Sequence, residues 1–338
     1  MNEVSKMAEI KVNRNSKLVK VLAAQARNER LDSNVVEEAS SIITELANDM
    51  TPQNRHEIAQ TIAFTIDELQ QHELDFINVI ADQKNIPFGG NAAFRVKDHG
   101  IKAFVQAKGG TTARSYVADH QVFVKTQEIA ARPAINIIDF KAGRVNIADL
   151  IREANDEITN KKLGLVQEAL RSSITTYSSP FYGTGTGVVK NTLDAQINYF
   201  KRLGGVTLFG DYAAVGQLAN ISGMAINATP TYQFSGNMIE SVAKNGFYGN
   251  YNGCSVLQMA NAYEYGETTP ILDTDIIYIL PTGLSSDAKN LKVVNEGTVS
   301  VMDSQSIDDR TYEMLIAVWF GAGFVSGKLP TIGAYVIG

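Results

Sequence analysis

The stretch NIADLIREANDEITNKKLGLVQEALRS, residues 146–172, decides how the chain is read. Asn146 offers a side-chain oxygen to the first turn of a helix, and Asp149 puts a negative charge beside the positive end of its dipole. Ile147, Leu150, Ile151, Ala154, Ile158, Leu165 and Ala169 recur at helical spacing, while Arg152, Glu153, Asp156, Glu157 and Lys161 fall mainly on the opposite face. At about 1.5 Å per residue the pattern predicts an amphipathic rod roughly 40 Å long, the width of a whole domain. Gly164 is a weak point in it, and Tyr177 to Pro180 mark its end. The rest of the chain is expected to be arranged around this rod.

Composition bounds what surrounds it. A chain of 338 residues, 44% hydrophobic and 20% charged, can bury a substantial core and predicts two or more compact units. No apolar run reaches bilayer-spanning length, and the N-terminus lacks the apolar segment of a secretory signal, so a cytosolic origin is expected. The single cysteine, Cys254, excludes an intrachain disulfide framework and any multi-cysteine metal site, and it reads as a small buried residue. The net charge of -6 argues against a general nucleic-acid binder, yet it hides an asymmetry. Residues 1–30 carry seven Lys or Arg against three Glu; residues 32–87 carry eleven acids against Arg55 and Lys84.

Upstream of the rod, the helix-prone run Leu18 to Arg30 ends the basic arm. Two helical patterns follow, the first over Val35 to Asn48, the second capped by Thr51 with Pro52 at its first position and running to about Asp82. Solvation of helix faces accounts for most of their acids, with docking on a basic neighbouring chain as the functional alternative. Phe88-Gly89-Gly90 breaks the pattern, and Phe94 to Ile129 reads as two extended arms about a tight turn at Lys108-Gly109-Gly110-Thr111. A two-stranded ribbon this long cannot bury enough apolar surface by itself, so Phe104, Tyr116 and Phe123 are expected to lie against another subunit. Arg95, Lys97, Lys102, Lys108, Arg114, Lys125 and Arg132 make the ribbon basic, which suits solvation or an acidic neighbour. Ala134 to Phe140 reads as a buried strand feeding through Gly143 into the rod.

Downstream, short elements alternate: a helix at Leu193 to Leu203, a strand at Val206 to Phe209, a helix at Asp211 to Ile221, a helix at Gly236 to Lys244 and a strand at Cys254 to Met259. The apolar run Ile276 to Leu280, stopped by Pro281, predicts a central strand of this second unit. Val299 to Val301, Tyr312 to Phe320 and Ala334 to Ile337 read as strands returning to the first unit, which makes the middle region an insertion.

Chemical motifs are few. The run Gly183-Thr184-Gly185-Thr186-Gly187 lacks the Walker spacing, since Lys190 follows Val189 and precedes Asn191, and it lacks a third dinucleotide glycine, since Val188 stands there. A flexible connector is preferred over a nucleotide site. His99 and His120 each follow an Asp and lie equidistant from Gly109-Gly110, so a simple two-residue turn places them opposite each other, with Asp98 and Asp119 nearby. One bulge separates such a pair, and two His on a ribbon are weak ligation. No metal, cofactor or catalytic residue is expected, and the chain is not read as an enzyme.

The order of elements and several local stretches resemble the major capsid proteins of tailed double-stranded DNA bacteriophages, which have the Hong Kong 97 type fold. FRVKDHGIKAFVQAKGG and TQEIAARPAINIIDF look like the arms of that family's extended loop and the strand after it, residues 146–172 like its spine helix, and NGFYGNYNGCSVLQM with DIIYILPTG like its axial core. The resemblance implies an α+β fold with an N-terminal helical arm (1–90), an extended β-hairpin loop (91–132), a peripheral domain holding the spine helix (133–180 and 295–338) and an inserted axial α/β domain (181–294). It implies a virion shell subunit, assembled in the bacterial host cytoplasm as hexamers and pentamers around double-stranded DNA without sequence specificity and without a membrane. Scaffolding, decoration and portal proteins would be further partners. Inter-subunit contact candidates are Phe104, Lys102, Lys108, Arg114, Tyr116, Phe123 and Lys125. One family member joins subunits through a Lys-Asn crosslink; Lys102 or Lys108 has the chemistry, but no partner Asn or activating Glu is identified and none is expected. An encapsulin-like nanocompartment, which resembles the same fold but holds cargo enzymes, stays open as the alternative, with a nucleotide-dependent enzyme behind it.

Overall fold

A computed structural model describes residues 16–73, 77, 80–97, 103, 105, 114, 119–220, 249–259, 261–263, 266–284, 288–306, 308–325 and 330–338. It opens with three helices, α1 (Lys17–Ala26), α2 (Ser33–Asn48) and α3 (Pro52–Glu73). The Ser16 hydroxyl accepts from the Val19 amide and the Thr51 hydroxyl from the Asn54 amide, so each cap satisfies one of the donors that a first turn leaves open. Leu22, Ala23, Ile43, Ile58, Ile62 and Ile66 turn inward from the three helices onto the spine.

The spine is α5 (Ile147–Ile174), 28 residues and about 42 Å long. Asn146 caps it as expected: its side-chain oxygen accepts from the Ala148 amide at 3.0 Å and its amide nitrogen donates to the Asp149 carboxylate at 2.7 Å. Its buried face serves two cores in succession. Ile147, Ile151 and Ile158 pack with the N-terminal helices, and Val166, Leu170 and Ile174 pack beneath the β-sheets. Between the two, the Gln70 amide donates to Asn155 Oδ1 at 2.7 Å and Lys162 Nζ donates to Gln70 Oε1, which fixes α3 against α5 with polar groups that are all buried.

The first body sheet runs β1 (Ala81–Ile86), β11 (Leu291–Ser306), β12 (Thr311–Phe324), β4 (Gln127–Ala131), with β5 (Ala134–Asn136) also on β12. The second runs β6 (Tyr182–Gly185), β13 (Gly333–Ile337), β10 (Ile276–Thr282), β7 (Gly205–Gly210), β9 (Cys254–Gln258), β8 (Asn250–Tyr251). The central place of β10 follows from its sequence: Ile276, Tyr278 and Leu280 enter the core shared with the spine, and Ile277 and Ile279 enter the core on the opposite face. On that far side lie α6 (Lys190–Lys201), with Leu193, Ile197 and Phe200, and α7 (Tyr212–Gly216), capped by Asp211. Cys254 is buried there too. The predicted helix at Gly236 to Lys244 lies outside the described residues.

Five expectations are corrected. The helix from Pro52 does not reach Asp82: Ala81 to Ile86 is a strand, drawn into parallel pairing along β11 and tied by the buried Lys292 Nζ to Asp82 at 2.8 Å. Strand Ala134 to Phe140 stops at Asn136, whose side chain accepts from the Ile138 amide and starts the short helix α4 (Ile137–Lys141), so that Phe140 turns inward and stacks on Tyr312. The glycine run begins as strand β6 rather than as a connector, held by parallel pairing to β13 and by the Tyr335 hydroxyl, which accepts from the Val189 amide and donates to the Gly187 carbonyl. Strand β13 does not return to the first unit but lies between β6 and β10, where Tyr335 is fully buried. Pro281 does not end β10, which continues to Thr282 beside Val206 and Gly205 of β7.

Candidate assembly interface

Among the described residues, strands β2 (Ala93–Lys97) and β3 (Asp119–Phe123) pair only with each other, antiparallel, as a two-stranded sheet separate from both body sheets. Alternation splits their side chains. Phe94 is buried with Ala92 against Val294, with Ile86 and Val124 at the margin, and Val96, on the same face as Phe94, is buried as well. Lys84 Nζ lies 4.7 Å and Lys292 Nζ 5.5 Å from the centre of the Phe94 ring, two cations that favour its π face. Phe123, paired with Ala93, turns the other way and leaves 58% of its surface exposed. Arg95, Arg114 and Lys125 are exposed as well.

Among the predicted contact residues, Lys102, Phe104, Lys108 and Tyr116 lie outside the described residues, as does His99. The register corrects the histidine pairing. His120 stands opposite Val96, not His99, because the ladder is offset by three positions from one centred on Gly109-Gly110. Among the described residues no group of three His, Cys, Asp or Glu is arranged to hold a metal ion. Arg132, counted with the basic ribbon, bonds Glu313 of β12. The exposed acids of the N-terminal helices include Glu37, Glu38 and Glu45, of which Glu38 meets Lys17 at 3.1 Å.

The base of the ribbon was not legible as a site. At Glu296 the β11 ladder slips: residues 297–299 occupy the space opposite the single residue Val318. The Glu296 carboxylate reaches both arms of the ribbon, accepting from the Gly89 amide at 2.8 Å on the incoming arm and from the Thr126 hydroxyl on the outgoing arm. The Thr126 hydroxyl first, and then the Gly89 amide, hold its carboxyl below the ordinary range for glutamate. Phe88 stands edge-on to Trp319, ring centres 4.8 Å apart, and lies over Gly297, where a Cβ would fall 2.3 Å from the ring. Gly297 also has φ +70°, so this site suits glycine on both counts. The signal in the sequence was a glutamate followed by glycine inside a strand, the mark of a bulge.

The comparisons with known proteins meet this architecture. No curated protein matches the chain in sequence. Among solved structures, the capsid of a native GTA particle has a TM-score of 0.51 at 11% identity, covering 80% of this chain and 89% of that one. The structure from Mycobacterium phage Bobi has a TM-score of 0.50 at 11% identity, covering 76% and 89%. A virus-like particle from Pyrococcus furiosus, at a TM-score of 0.46 and 14% identity over 83% of this chain and 98% of that one, is more distant. Two sheets joined by a long spine helix, with a two-stranded ribbon that pairs with neither sheet among the described residues, make this the Hong Kong 97 type fold. The chain belongs to the family described as "SPbeta prophage-derived putative capsid protein YonB", whose model matches residues 2–335. It is a structural component of a phage-type shell.

Proposed function

We propose that this chain is the major head protein of a tailed double-stranded DNA bacteriophage, self-assembling as hexamers and pentamers into an icosahedral shell in the host cytoplasm. The observation that carries this reading is the β2–β3 hairpin, paired with no other strand among the described residues, with its inner face spent on anchoring and Phe123 left outward beside exposed Arg95 and Lys125. An outward aromatic residue on an isolated ribbon gains its burial from a neighbouring copy. Lys102, Phe104, Lys108, Arg114, Tyr116, Phe123 and Lys125 form the contact set, the exposed acids of α2 are one candidate surface for the basic ribbon, and DNA is enclosed without sequence recognition. An interior that is not strongly basic suits this role, because counterions neutralise much of packaged DNA. Residues 1–90 form the N-terminal arm, 91–132 the loop, 133–180 and 295–338 the peripheral domain, except that β13 joins the sheet of the axial domain, and 181–294 the axial domain.

Size-exclusion chromatography and electron microscopy of the protein expressed alone test this. Closed particles are expected; a well-behaved monomer whose hairpin resists protease would sink the reading. Particles from host cells separate a phage head, filled with DNA and bearing a tail, from a compartment filled with cargo protein.

A further inference from the structure

We infer that Glu296 is the positioning residue of the hairpin: it clamps both arms at the β11 bulge and thereby sets the direction in which the hairpin leaves the subunit. The inference rests on the assembly reading above only for its effect on shells. Direction matters because a rigid arm converts a small change of angle at its base into a large displacement at its tip, and the tip is where a neighbouring copy is met.

The geometry isolates one residue. The incoming arm arrives through Phe88-Gly89 and the outgoing arm departs through Val124-Lys125-Thr126, and the two oxygens of one carboxylate take one hydrogen bond from each. The backbone around them admits no slack on the body side. Gly321 of β12 meets the Lys125 carbonyl so closely that a Cβ there would lie 2.4 Å from the oxygen, and Gly297 lies flat under Phe88. Glu296 itself is fixed on the body by its pairing with Ile86 on β1 and with Trp319 on β12. The incoming arm has a further tie, Lys84 Nζ to the Ala93 carbonyl at 2.5 Å, and Phe94 is buried beneath it. Removing Glu296 therefore frees the angle between the arms without uprooting the hairpin.

Glutamine at this position keeps the bridge, because its amide oxygen accepts from Gly89 while its amide nitrogen donates to the Thr126 oxygen; alanine removes both bonds. The test compares wild type with Glu296→Ala, Glu296→Gln and Thr126→Val. Tryptic cleavage after Lys125 is followed in the unassembled subunit, alongside its thermal unfolding, and shell diameters are measured by electron microscopy. Two hydrogen bonds of ordinary net strength predict cleavage about tenfold faster in Glu296→Ala, about threefold faster in Thr126→Val, and within about twofold of wild type in Glu296→Gln. The unfolding midpoint should fall by no more than about 2–3 °C in any of the three, and the diameters should be broadened in the alanine variant and restored in the glutamine variant. Wild-type cleavage rates and uniform diameters in Glu296→Ala overturn the clamp, and so does a Glu296→Gln variant that behaves like alanine. If wild type makes no shells, the assembly reading fails while the cleavage comparison still decides the clamp.

Discussion

Two phenylalanines on one short ribbon have opposite fates, and the difference separates subunit stability from assembly. Phe94 is fully buried against Val294 and beneath two lysine ammoniums, whereas Phe123, across the ladder and facing the other way, is more than half exposed. Truncating a buried Phe costs about 3–5 kcal/mol through lost burial and the cavity left behind. Phe94→Ala should therefore lower the stability of the unassembled subunit by that order in urea unfolding. Phe123→Ala should leave the same measurement within about 0.5 kcal/mol of wild type, as substitutions at exposed positions do. Its effect belongs to the shell: the protein concentration needed for particles to form should rise. Equal destabilisation by both changes would mean that Phe123 packs on its own subunit. The sequence alone singled out Phe123 and passed over Phe94 as an anchor, because alternation in a ribbon names two faces without saying which one meets the body.

Elements were legible where a local pattern carried their whole identity. The spine shows a cap, a charge at its first turn and an apolar stripe, all within 28 residues, and both its start and its length emerged. The run Ile276 to Leu280 read as a central strand, and it is one, covered on both faces. Elements whose identity depends on distant partners were lost. Ala-Asp-Gln-Lys-Asn-Ile has no apolar alternation, and it is a strand because β11, more than two hundred residues later, offers an edge and Lys292 a counter-charge for Asp82. Strand β13 carries nothing in its own residues to say which sheet will take it. The β11–β12 hairpin looked like short pieces because Asn295, Glu296, Asp303 and Gln305 interrupt the apolar residues, yet those polar residues lie on surfaces partly open to solvent or at the ribbon base. Gly164 is a residual flaw in the spine. Among the described residues no atom outside its own stretch of helix lies within 4 Å of where its Cβ would be, and a helix interior disfavours glycine by about 1 kcal/mol relative to alanine. Gly164→Ala should raise subunit stability by about 0.5–1 kcal/mol in chemical denaturation; a loss would show that the open space is needed by another chain.

At the scale of the whole molecule, the surface proposed for assembly is separate from the surfaces that fold the subunit. The body closes on its own: the spine links the helical layer to both sheets, and the buried side chains of these layers form contiguous cores. The hairpin is fastened to that body at its base, by Phe94, by the Phe88–Trp319 contact and by Glu296. A two-stranded ribbon contributes little stability beyond its anchored part. Deleting residues 104–117, with the arms rejoined by a short Gly-containing turn, should therefore leave far-UV circular dichroism and the thermal midpoint of the subunit nearly unchanged. The same deletion removes Phe104, Arg114 and Tyr116 together with Lys108, so the neighbouring copy loses most of what it is proposed to hold. Closed shells should disappear while monomers or small oligomers remain soluble, as seen by size-exclusion chromatography and electron microscopy. Normal shells from the deleted chain would refute the hairpin as the intermolecular element, and an unfolded subunit would refute its separation from the folding core. Each result leaves the other half of the division standing.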